Sequence, residues 1–347
     1  MKDTNKNFIY NVIYQVFIFI IPFVTTPYIS RVLGVENVGI YSYTYSIVNY
    51  FMLCGLIGIN NYGARSIAIK SKNKDEMSQE FFNIYLLQLI LTIIMLILYY
   101  IFSLFIYRYN LTIMLIQSIF LISVAFDINW FYFGMEKFKI TISRNIIIKI
   151  LSLILVFSVV KNSNDLWKYT LIMSGSTLIS QIYLWIFVKR YICFKKPEFK
   201  KIFSYLKPCL VLFIPVIAYS IYRIMDKTMI GYIANTAELG NYESAEKIIN
   251  IPIGFITALG TVMMPHMSKV KNDEIKDKIS ETYKLIFFFT VPMCFGIFAI
   301  SNDFSNIFFR KRIYTNKWNN KTFNYYSHFF CSCKCYKNML FNTKRKR

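Results

Sequence analysis

About nine apolar stretches, each long enough to cross a bilayer, follow one another from residue 8 to Phe309. A spanning helix needs roughly 20 residues to cover the hydrocarbon layer. Lipid offers the backbone no hydrogen-bond partners, so stretches of this kind are confined to helices, whose amides satisfy one another. The spans fall at 8–30, 38–60, 81–106, 111–133, 145–161, 166–188, 208–233, 249–266 and 285–309. The run LLQLILTIIMLILYYIFSLF over 86–105 is apolar on every face, as a lipid-embedded helix is. The expected fold class is therefore all-α and integral to the membrane, a bundle of many spans.

Composition agrees. With 56% hydrophobic and 18% aromatic residues and a mean hydropathy of +0.42, the chain is too apolar for an ordinary soluble domain. Its net charge of +22 would suit a nucleic-acid binder, but the basic residues lie between the spans, which makes the charge topological and argues for no nucleic acid. With the N-terminus in the cytoplasm, the outer segments hold only Arg31, Arg108, Lys161, Lys168 and Lys247, while loop 189–207 alone, KRYICFKKPEFKKIFSYLK, holds seven basic residues. That alternation is the one the positive-inside rule requires. The same loop is the natural linker between two halves of a transporter built from repeated bundles.

The seven cysteines form no disulfide framework. Cys54, Cys209 and Cys294 lie within spans, and Cys331, Cys333 and Cys335 have neither the spacing nor the histidines of a zinc site. There is no P-loop, no HExxH and no GxSxG, so no enzyme, cofactor or metal is expected.

Polar residues inside spans remain, and they are costly there unless they face a bundle interior or a wet cavity. In the seventh span, SIYRIMDKTMIGY sets Arg223, Asp226 and Lys227 at i, i+3 and i+4, on one helical face with a net positive charge. A phosphate-bearing substrate would match it; so would a self-compensated cluster near the outer helix end. Arg31 ends the first span and either contacts a pyrophosphate or marks the membrane boundary. Asp127 and Asn129 enter the cytoplasmic end of the fourth span beside Trp130, in an aromatic run that reads as an interfacial belt, and Asp127 and Glu136 cap helix ends or line an inner gate. Prolines 22, 27, 215, 252, 265 and 292 lie in or at the ends of spans, where each removes a backbone donor.

Four segments carry a family resemblance: YISRVLGVENVGIYSYTYSIVNYF (28–51), GINNYGARSIA (58–68), DINWFYFGMEKFKITISRN (127–145) and MDKTMIGYIANTAELGNYESAEKIINIPIGFITALGTVMMPHMS (225–268). They resemble the Wzx-type oligosaccharide flippases of the MOP superfamily, over about residues 1–309. The resemblance implies a MATE-like, V-shaped pair of six-helix bundles. On this chain that gives a first bundle over 1–189, a linker over 190–207 and about three helices of an incomplete second bundle over 208–309. It implies a bacterial cytoplasmic-membrane protein that turns undecaprenyl-pyrophosphate-linked oligosaccharide units from the inner to the outer leaflet by alternating access. H+ or Na+ would be the coupling ion, and membrane lipids and the polysaccharide polymerase machinery the partners. Arg223, Asp226 and Lys227 would face the cavity, with Arg31 at the first bundle's mouth. Rival expectations are a multidrug antiporter of the same superfamily, a membrane enzyme of polysaccharide assembly, and an inactive fragment.

The last segment stands apart. Residues 310–347 hold eleven Lys or Arg and no Asp or Glu, without periodicity. We expect this tail to be disordered and translated out of frame. Codons can be chosen for it whose next-frame reading is a further apolar run, so the flippase would be cut short after about residue 309.

Overall fold

The structure, a computed structural model, describes residues 24–107 and 109–247, with Ile21, Asn250 and scattered positions between 280 and 296. The spans expected at 249–266 and 285–309, most of the first span, and the basic tail lie outside the continuously described residues. The chain divides into two compact units, one of residues 35–240 and one of residues 1–34 with 241–347.

Every regular element described in the larger unit is a helix. Its elements are α1 (Val35–Leu56), α2 (Ile59–Lys70), α3 (Lys74–Ile101, continued by a π-helical turn at Phe102–Ile106), α4 (Leu111–Ala125), α5 (Asn129–Gly134), α6 (Phe138–Val159), α7 (Leu166–Val188), the single turn α8 (Phe199–Ile202) and α9 (Leu206–Ile233). Six segments are long and apolar enough to cross a membrane: Val35–Lys70, Lys74–Ile106, Leu111–Gly134, Phe138–Val159, Ser163–Val188 and Phe203–Ile233. These are the second to seventh spans read from hydropathy. The multi-span all-α fold is thus observed among the described residues. The boundaries differ where amphipathic turns prolong a helix past its apolar stretch. The fifth span, expected to start at 145, is helical from Phe138, and the third, expected from 81, is helical from Lys74.

Helix ends are set by local chemistry. Asn73 caps α3 by accepting from the Asp75 and Glu76 amides at 3.0 and 3.5 Å, and both carboxylates sit in the positive first turn. Asp165 closes a capping box with Asn162 and pairs with Lys168 at 2.6 Å, which fixes the turn between α6 and α7. Between α1 and α2, Ile57 and Gly58 take positive φ of 32° and 73°, redirecting the chain.

Within the unit α4 is central, packed against α7, α1 and α3. Hydroxyls inside these helices return to their own backbone: Thr44 to Ile40 O (2.8 Å), Ser46 to Ser42 O (2.7 Å), Thr170 to Leu166 O (2.8 Å) and Ser174 to Thr170 O (2.8 Å). A polar side chain satisfied this way can be buried without a partner on another helix. The largest core joins α2, α3, α5 and α7, where Phe81, Trp130, Phe131 and Tyr132 are fully buried. Phe81 meets Phe131 edge-on at 4.9 Å and Trp130 at 5.4 Å. By contrast the outward stripe of α6, with Ile147, Leu151, Ile154 and Leu155, is exposed, as a surface against lipid tails would be.

In the smaller unit a helix covers residues 24–32. There the Ser30 and Ser244 hydroxyls lie 3.4 Å apart in a buried contact, and Lys247 pairs with Glu243 at 3.5 Å.

Candidate functional site

Asp127 interrupts the fourth span. Helix α4 stops at Ala125 and α5 begins at Asn129, with Ile128 at its N-cap; one position earlier the Asp127 carboxylate accepts the Asn129 amide (2.9 Å) in an Asx turn that shapes the break. A break inside a packed helical bundle releases carbonyls from the helical ladder, and each must find another donor. Gln88 of α3 supplies two, its Nε2 donating to Val124 O (2.6 Å) and Asp127 O (2.8 Å). Trp185 of α7 donates to Phe126 O at 3.0 Å. The Gln88 carbonyl in turn accepts from Trp130 Nε1 at 2.9 Å. Four helices are joined through one broken turn.

The Asp127 side chain opens onto a second layer. Its Oδ1 accepts Asn129 Nδ2 at 2.7 Å, and Asn129 also donates to Gln181 Oε1 of α7 at 3.2 Å. Arg144 of α6 is 3% exposed and donates to Asn129 Oδ1 (3.0 Å), Asn145 Oδ1 (2.7 Å), Ser180 O (3.1 Å) and Gln181 Oε1 (3.2 Å). Asn129 thus bridges a carboxylate and a guanidinium inside an apolar bundle. Such a relay spreads the pair's charge over amides that can reorient.

The cationic face is on α9. Arg223, Asp226 and Lys227 are all half-buried within the apolar span Phe203–Ile233. The Arg223 guanidinium lies over the Tyr219 ring, 6.0 Å from its centroid, with NH1 3.5 Å from the hydroxyl. One turn on, the hydroxyls of Thr228 and Tyr50 of α1 lie 3.4 Å apart. The face is built from one helix, whereas Asp127 and Asn129 belong to the network of α3 to α7. Arg31 is exposed on the 24–32 helix of the smaller unit.

Several polar residues escaped the sequence reading. Arg144 stands next to last in the motif DINWFYFGMEKFKITISRN, just before the apolar stretch expected from 145, and the early start of α6 at Phe138 carries it into the helix. Lys149, half-buried on the same helix, is a further cation within an apolar span. Gln88 and Gln181 are neutral and isolated in apolar runs, so nothing local marked them. Glu80 of α3 is 2% exposed, accepting from Ser66 (2.5 Å), Lys70 (2.6 Å) and Tyr205 (2.9 Å). Among the described residues no group of three His, Cys, Asp or Glu stands together to hold a metal.

The larger unit is a bundle of apolar helices that carries charged side chains inside its candidate spans. A solved structure of the MATE multidrug transporter DinF-BH is similar at a TM-score of 0.53, with 19% identity, over 89% of this chain and 75% of that one. The chain belongs to the polysaccharide biosynthesis protein family, whose model matches residues 4–271. It is 25% identical over 267 residues to a protein of Shigella dysenteriae, and 25% identical over 275 residues to one of Escherichia coli strain K12, each named "Putative O-antigen transporter". These alignments take in 75% and 77% of this chain, and the chain spans 66% of the length of each relative.

Proposed function

We propose that the protein is a flippase for polysaccharide units, moving an undecaprenyl-pyrophosphate-linked oligosaccharide across the cytoplasmic membrane by alternating access. The observation that carries the reading is the half-buried cationic face of Arg223, Asp226 and Lys227 inside an apolar span. Two phosphates crossing bare hydrocarbon would meet a barrier of several kcal/mol or more. A face with net positive charge lowers it, while the lipid tail stays in the bilayer and the sugar travels through water. The names borne by the relatives support the same class of cargo. Coupling to H+ or Na+ supplies the energy, and the polymerase machinery receives the product. Arg31, Asp127 and Asn129 belong to the cavity in this reading, Asp127 and Asn129 as part of its inner end.

Likeness to a multidrug transporter brings in a second reading, export of organic cations. The sign of the in-span charge opposes it, since a cationic drug calls for carboxylates and α9 offers two cations to one.

The test is genetic. In cells whose surface polysaccharide depends on this gene, Arg223→Ala and Lys227→Ala should each cut export while the protein remains in the membrane. Normal polysaccharide in both variants would remove these residues from the site. Drug resistance conferred by the wild type would favour the second reading.

A further inference from the structure

The linker between α7 and α9 is strapped along the first turns of α3. Ser78 Oγ accepts the Cys193 amide (3.0 Å), Gln79 Nε2 donates to Lys196 O (2.8 Å), and Asn83 Oδ1 accepts the Glu198 amide (2.8 Å). Phe82 meets Phe194 edge-on at 5.3 Å, and Lys195 pairs with Asp75 at 2.8 Å. The strap ends on Tyr205, whose hydroxyl donates to the buried Glu80 carboxylate at 2.9 Å and whose ring lies 5.7 Å from that of Tyr62. Three of the bonds use linker backbone, so they hold the path of the chain.

The base of α9 is fixed a second time. At Gly58, whose φ is +73°, an added Cβ would stand 2.5 Å from Cys209 O and 3.0 Å from Phe213 N. Cys209 and Phe213 are buried. Two residues later comes Pro215, which has no amide to offer Val211 and breaks the helical ladder. Beyond it the character changes: Ile224 is the one buried residue of α9 past the proline. The outer end meets α1 and its neighbours through small residues. Gly231 faces the Tyr43 ring, Gly39 the Thr236 carbonyl and Gly240 the Val35 carbonyl, each too closely for a Cβ.

We propose that Glu80 and Tyr205 are positioning residues for transport. They anchor the base of α9, so that Pro215 is the pivot on which the outer half of the helix, with Arg223, Asp226 and Lys227, swings against α1. The inference rests on the flippase reading for its purpose but not for its geometry. A buried carboxylate of α3, held by Ser66 and Lys70 of α2 and by Tyr205 at the base of α9, makes a fixed end. A glycine seam, held by close packing and the long Tyr50–Thr228 contact, makes a parting one.

Spin-label distances in lipid nanodiscs test this without any substrate. One pair of labels, at Lys72 and Ser204, spans the anchor; the other, at Glu36 and Tyr232, spans the seam. All four positions are exposed. The anchor pair should give one narrow distribution and the seam pair two. Pro215→Ala should reduce the seam pair to one population and leave the anchor pair unchanged. Tyr205→Phe, which keeps the ring and loses the hydroxyl, should broaden the anchor pair, with Glu80→Gln as the stronger variant. Two populations at the anchor, one at the seam of the wild type, or two at the seam of Pro215→Ala would each overturn the proposal. Failure to move lipid-linked sugar would instead defeat the functional reading and leave these distances standing.

Discussion

Trp130 lies face-on against Gly63: a Cβ on the glycine would stand 2.6 Å from Cε3 of the indole. The contact lets α5 close on α2, with Gly134 meeting the Ala64 carbonyl and Ile67 in the same way. Trp130 cannot retreat, because it is fully buried and its Nε1 is held by Gln88. Gly63→Ala should therefore destabilise the bundle by about 1–3 kcal/mol, the usual range for overpacking. Thermal unfolding in detergent checks this, and an unchanged midpoint would mean the helices can part freely.

Gln88 carries a larger share. Replaced by leucine, it leaves two carbonyls of the broken fourth span and the Trp130 N–H without a donor or acceptor. A buried polar group left unsatisfied costs about 1–3 kcal/mol. Gln88→Leu should accordingly lose at least about 2 kcal/mol, although leucine suits an apolar helix better by hydropathy. Gln88→Glu retains the acceptor but loses the amide donors, and it should fall near the leucine variant in the same unfolding assay.

Orientation is open to a membrane-impermeant thiol probe. Cys193 is exposed on the basic linker, and Ala234 is exposed just past α9. In single-cysteine chains, Ala234→Cys should label from outside intact cells and Cys193 only after lysis. Gly240 cannot carry the probe, since its Cβ would collide with the Val35 carbonyl. The reverse labelling pattern would invert the topology.

Hydropathy made the second to seventh spans legible because lipid imposes one demand on every turn of a spanning helix. It did not locate the break at Asp127, since LISVAFDINWFYFG is apolar enough to read as one helix. The break became apparent only where Gln88, 36 and 39 residues earlier, meets its two carbonyls. Arg144, Asn129 and Gln181 meet for a similar reason: contacts across 15, 37 and 52 residues leave no local pattern. The α9 face was readable because its three charges sit on one helix at helical spacing. The anchor was not, because Glu80 finds Tyr205 across 125 residues.

In the proposed function, the protein moves a lipid-linked, phosphate-bearing sugar with the help of α9. Purified protein in liposomes, given a fluorescent undecaprenyl-pyrophosphate oligosaccharide in one leaflet and an ion gradient, measures it directly through the label's exposure to an external quencher. The wild type should transfer the lipid, and Arg223→Ala or Lys227→Ala should slow transfer roughly tenfold or more, the loss expected for one contact to a charged group. Transfer no faster than in protein-free liposomes, or equal rates in the wild type and both variants, would contradict the account.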